Sequence, residues 1–129
     1  MSHHRERIAT SDAPAALGPY SQGIAAKGMV FVSGQLGIDP KTGKIVEGGI
    51  GAQTRRSLEN IGAILKEAGC GFDDIVACTV FLRDLKEFPA MNEMYGSFFS
   101  GTAPSRALAE VSRLPLDAAV EISCIAVKV

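Results

Sequence analysis

Apolar positions fall into a few runs whose spacing predicts the elements. Residues 5–10 read as a short first strand. The runs 21–26 and Met29–Leu36 flank Lys27-Gly28 and read as a β-hairpin, with a glycine free to take the positive φ that a two-residue turn demands. Asp39-Pro40-Lys41-Thr42-Gly43 is a turn by composition. Over 50–68 the apolar residues Ile50, Leu58, Ile61, Leu65 and Ala68 are spaced by three, four or eight, the stripe of a helix with one buried face. Gly69 supplies its stop. Arg55 and Glu59 read as an i,i+4 pair on its solvated side. Ile75–Leu82 is apolar at both parities, which predicts a central strand covered on both sides. Asp84 and Glu87 have capping-box spacing, and Pro89 suits a first turn, so a second helix is expected over 89–99. Met91, Tyr95 and Phe98 would form its inner face. Two final strands are expected over 106–111 and 119–129.

The order β-β-β-α-β-α-β-β predicts an α+β fold, with both helices on one face of the sheet. One domain over residues 1–129 suffices, with 1–7 as a flexible tail. Two helices cannot cover both faces, yet Met29–Leu36 and Ile75–Leu82 are apolar on both. The uncovered face predicts further copies of the chain in a closed ring.

Composition narrows the chemistry. Thirteen basic and 14 acidic side chains leave no basic footprint for nucleic acid. No stretch approaches the roughly 20 apolar residues that cross a bilayer, and the N-terminus has no signal-peptide pattern. Cys70, Cys78 and Cys124 lack paired metal spacing, which points to reduced thiols in the cytoplasm and to no zinc shell. His3 and His4, the only histidines, lie in the polar tail and read as tail rather than as catalysts. A histidine-based nucleophile inside the fold is therefore not expected. The glycine spacing from Gly23 to Gly28 imitates a phosphate loop, but Met29 stands where its lysine belongs.

What remains is Pro104-Ser105-Arg106, with Glu121 fifteen residues beyond the arginine in an apolar run. Arg106 precedes Ala107-Leu108-Ala109, where burying a guanidinium would be costly without a partner. That partner is either an arriving organic acid, which suits arginine's planar fork, or Glu121 itself in a structural ion pair. Cys78 and Cys124 read as small core residues, and Glu110 with Arg113 as a surface or interface pair.

Gly18-Pro19-Tyr20-Ser21-Gln22, Ser33-Gly34-Gln35, Thr79-Val80-Phe81-Leu82-Arg83-Asp84-Leu85, and Asn92 with Tyr95 recur in a familiar order. Pro104-Ser105-Arg106, Glu110-Val111, Arg113-Leu114-Pro115 and Glu121-Ile122 complete it. Together they resemble the reactive intermediate (imine) deaminase A family, also called YjgF-like or L-PSP endoribonuclease-like, from about Ile8 onward. The resemblance implies a chorismate-mutase-like subunit and a homotrimer with an inner β-barrel and active sites between subunits. It implies cofactor-free hydrolysis of 2-imino acids, formed from 2-enamino acids such as 2-aminoacrylate, to 2-keto acids and ammonia. By the same resemblance, Arg106 would hold the substrate carboxylate and Glu121 would position or activate water. Ser33 and Gly34 would border the imine, Tyr20 would close the pocket, and Asn92 is a further position on the second helix. Ser105 departs from the family's Pro-Ala-Arg pattern. Ala103 and Leu108 stand where many relatives carry a bulkier residue and some a cysteine, which bears on pocket size.

Two other functions compete: an endoribonuclease or translation inhibitor, and a non-catalytic trimer that senses keto acids or acts as a holdase. A near-neutral charge and the lack of an interior histidine weigh against RNA cleavage.

Overall fold

Strand β1 (Glu6–Ile8) pairs antiparallel with β2 (Gly23–Ala26), which turns through Lys27-Gly28 into β3 (Met29–Leu36), in a computed structural model that describes residues 4–128. Lys27 and Gly28 both take positive φ, 49° and 78°, so the hairpin closes in the handedness that matches strand twist. A small flap follows, not expected from the sequence: β4 (Ile38–Asp39) pairs with β5 (Lys44–Ile45) around the anticipated turn. Helix α1 (Gly49–Glu67) leads to β6 (Ile75–Leu82), then to helix α2 (Phe88–Gly96), β7 (Ser105–Glu110) and β8 (Val120–Val127).

The main sheet runs β1-β2-β3-β8-β6-β7, antiparallel throughout except between β6 and β7. Alternation sets its two faces. Val120, Ile122, Cys124 and Ala126 of β8 join Val30 and Val32 of β3 and Cys78, Val80 and Leu82 of β6 in one core. Leu58, Ile61, Ile64 and Leu65 of α1 and Met91 and Tyr95 of α2 close that core, so both helices lie on the same face, as the element order predicts. The opposite parity forms an open face. Ile24, Phe31, Ile125 and Ala77 make a row across four strands there, with Phe31 40 % exposed.

Five expectations need correction. Ile75–Leu82 is central but covered on one face only within a chain, because two helices suffice for one side. Glu59 pairs at 3.4 Å with Arg56, one turn position nearer than Arg55. Helix α2 ends at Gly96, and the Asp84 carboxylate caps a single turn (Leu85–Glu87) ahead of it by accepting from the Lys86 N–H at 2.9 Å. Arg113 bonds Asp117 at 2.7 Å while Glu110 accepts from the Leu85 N–H, so those two do not pair. Of the tail expected over 1–7, residues 1–3, His3 included, lie outside those described, and Glu6 and Arg7 belong to β1. No helix among the described residues is long and apolar enough to cross a membrane.

Candidate active site

Strand β3 contains a bulge that builds half of the candidate site. Val32 faces Cys124 and Gln35 faces Ile122, so Ser33 and Gly34 together oppose Ser123. A bulge re-aims the chain locally and commonly borders active sites. The Ser33 hydroxyl donates to the Ser21 carbonyl at 2.6 Å, and its N–H donates to the Gln22 carbonyl at 3.0 Å, tying the bulge to the loop that carries Tyr20. A Cβ at Gly34 would collide with the Glu121 carboxylate, so a side chain there requires that carboxylate to move. Glu121 lies on the open face between Leu36 and Phe81 in the register. Burial pushes its carboxyl pKa above the ordinary glutamate value.

Helix α1 holds this bulge with side chains. Beyond the bulge, the β3 carbonyls need partners. The Ser57 hydroxyl donates to the Gln35 carbonyl at 2.7 Å, and the Asn60 amide donates to the carbonyls of Leu36 and Ile38 at 3.2 and 2.9 Å. The Gln53 amide oxygen accepts from the Ala119 N–H at 2.8 Å, just before the strand of Glu121. Arg56 fixes Asn60 by donating twice to its amide oxygen.

The other half lies at the sheet edge. Arg106 is on β7, level with Cys78, and its side chain lies on the helix face. The guanidinium carbon is 4.9 Å from the Tyr95 ring centroid and 5.5 Å from that of Phe88, and Nη1 donates to the Asn92 amide oxygen at 2.8 Å. Two rings and one hydrogen bond thus set its orientation. Ser105 beside it donates to the Val76 carbonyl at 3.1 Å. Arg106 makes no ion pair among the described residues, and it is exposed rather than buried, because β7 is an edge strand. Glu121 projects from the opposite face, which removes the structural ion pair between them as a reading. Beneath Arg106 the Tyr95 hydroxyl is buried without a well-formed hydrogen bond, beside the Cys78 thiol. Burial pushes the Tyr95 hydroxyl and the Cys78 and Cys124 thiols up, so all three stay protonated and the cysteines are core residues as expected.

Residues 10–128 match the family described as Endoribonuclease L-PSP. The chain belongs to that family. A RutC family protein of Synechocystis is 50% identical, covering 93% of this chain and 94% of its own. The mouse protein named 2-iminobutanoate/2-iminopropanoate deaminase is 44% identical, covering 96% and 92%. Among solved structures, the YjgF gene product of E. coli superposes with a TM-score of 0.92 at 46% identity, covering 96% and 99%. E. coli TdcF with bound serine gives 0.92 at 44%, covering 96% and 99%.

In this L-PSP family member the expected site residues fall into two groups. Tyr20, Ser33, Gly34 and Glu121 gather around the bulge, and Tyr20 and Gly34 line one cavity of about 320 Å³. Arg106 and Asn92 meet at the sheet edge. One chain does not bring the groups together. Sequence reasoning missed Phe88 and Tyr95 as supports for Arg106, and the polar stripe Gln53, Ser57, Asn60. The stripe's spacing of four and three beside the apolar one was the available signal. Among the described residues no cluster of His, Cys, Asp and Glu could hold a metal.

Proposed function

We propose that this chain hydrolyses 2-imino acids, such as those formed from 2-aminoacrylate, to 2-keto acids and ammonia. The observation that carries the reading is Arg106: a guanidinium oriented by Asn92, Tyr95 and Phe88, yet without a carboxylate partner among the described residues. Its free edge suits the carboxylate of a small organic acid. The names of relatives agree in kind, one being an imine deaminase and one holding serine, a small amino acid.

Because Arg106 and Glu121 lie on opposite faces, the working site takes Arg106 from one copy and Glu121, Ser33, Gly34 and Tyr20 from a neighbour. A homotrimer with the apolar open faces turned inward as a barrel satisfies both needs. The iminium carbon is already electrophilic, so no covalent nucleophile is required. Water adds to it while the Glu121 carboxylate takes a proton, giving a carbinolamine. Glu121 then returns a proton to the nitrogen, the C–N bond breaks, and ammonia leaves as the hydroxyl becomes the keto group. The hydroxyl proton passes through Glu121 to solvent. A carboxyl pKa raised by burial favours traffic in both directions. Three free cysteines suit a reducing cytoplasm.

The test couples a serine or threonine dehydratase to this protein and follows keto-acid release. Acceleration is expected, with a loss of roughly 100-fold or more for Arg106→Ala. No acceleration by the parent, or full acceleration by that variant, refutes the reading.

A further inference from the structure

We infer that the cavity beside Gly34 receives the substrate's side chain, and that Leu17 and Leu116 direct this chain toward imines of longer aliphatic amino acids. The inference rests on the imine hydrolysis proposed above. The carbon that water attacks carries three groups: a carboxylate, an imine nitrogen and a side chain. With that carbon against Gly34 and Glu121, and the carboxylate turned to a neighbour's Arg106, the side chain needs a third direction. That direction is the cavity of which Gly34 forms a wall, at the small end of the range for small-ligand sites.

Its lining is mostly apolar. Leu17, Tyr20, Leu36, Ile38 and Leu116 surround it, and no charged side chain contributes. An acidic or basic substrate side chain would lose its hydration there without gaining a partner. A methyl group would leave most of the space unfilled, whereas a branched aliphatic chain would cover the leucines. Leu17 is 86 % exposed and Leu116 63 % exposed, so neither supports the core of the chain that carries it.

The backbone at Leu116 points the same way. Leu116 and Asp117 take φ values of 58° and 54°, a left-handed conformation that leucine rarely adopts. The loop is pinned there by Arg113, which donates to the Asp117 carboxylate at 2.7 Å, and by Arg83, which donates to the Asp117 carbonyl at 2.7 Å. Strain of this kind persists where the surroundings over-determine it, and it gathers at ligand clamps. Here it fixes an exposed leucine on the rim of an apolar cavity.

The experiment compares kcat/KM on imines generated from leucine and from alanine by an amino-acid oxidase, with the solution mass of each protein recorded. The parent is expected to prefer the leucine-derived imine by roughly 10-fold or more. Leu17→Ser and Leu116→Asn should each cut that ratio by roughly 10-fold at unchanged mass. Asparagine is chosen because it accepts left-handed backbone better than leucine does. A ratio near one in the parent, or a ratio unmoved in both variants, overturns the inference while leaving imine hydrolysis intact. Dissociation by either substitution also overturns it, since the leucines would then be covering a neighbouring copy. If neither imine is accelerated, the inference falls together with the reaction.

Discussion

Arg106 and Glu121 project from opposite faces of one sheet, with β6 between their strands: Cys78 stands level with Arg106, and Phe81 with Glu121. No side-chain rotation joins them within a chain. If the working site is shared, two inactive variants should repair each other. Arg106→Ala and Glu121→Gln, unfolded together and refolded as mixed oligomers, should recover about a quarter of parental activity, the fraction of sites that draw both intact residues. Recovery of none would mean that one chain supplies both groups.

Glu121 makes opposite demands on stability and on rate. Burial raises its folded pKa above the unfolded value, so the protonated form is the one the fold prefers. Its contribution to stability is full below the unfolded pKa and is lost as pH rises through the folded value. Glu121→Gln should therefore melt higher than the parent at pH 7, the gap closing in acid below the ordinary carboxylate range. Keto-acid release should fall by roughly 100-fold or more. Parental kcat/KM should decline in acid as the base is protonated, with its limb above the ordinary glutamate value. Melting scans and a pH–rate profile check both.

Gly34→Ala tests the bulge. The added methyl must displace the Glu121 carboxylate, whose flexible end can swing aside. Activity should drop by roughly 10-fold or more, since misplaced catalytic groups are costly, while the melting temperature moves by only a few degrees. Unchanged turnover would mean that the carboxylate's position beside Gly34 is irrelevant.

Asn60→Ala would strip the Leu36 and Ile38 carbonyls of their partner and leave Arg56 without its acceptor. A loss of about 2 kcal/mol in denaturant unfolding is expected, from unsatisfied buried groups. A change under about 0.5 kcal/mol would show that water replaces the amide.

The open face predicts assembly. The parent should run at three times the 13.5 kDa of one chain. Phe31→Asp, which places a charge in the exposed apolar row, should shift it to monomer and abolish keto-acid release. Light scattering decides, and a monomeric parent would defeat the shared site.

The sequence made these strands legible because their apolar runs have clear ends: Met29–Leu36 and Ile75–Leu82 match their strands residue for residue. It failed where tertiary context decides. The β4–β5 flap is too short to carry a pattern, and α2 stops at Gly96 although apolar residues continue. The family pattern singled out Arg106 and Glu121 as residues. Which face each takes depends on strand order, a long-range fact that spacing along one chain does not encode. Tyr95 reads as an inner-face aromatic and Phe88 lies outside the expected helix, and only the parallel pairing of β6 with β7 brings Arg106 over them.

The doubled pair Ser33-Gly34 acts as a phase shift. Upstream, Val32 points toward the helices; past it, Gln35 does so again, one position later than simple alternation allows. Deleting either residue of the pair would restore simple alternation, with Gln35 still inward and Leu36 outward, but it would straighten the strand that borders Glu121. Length should thus be rigidly kept here.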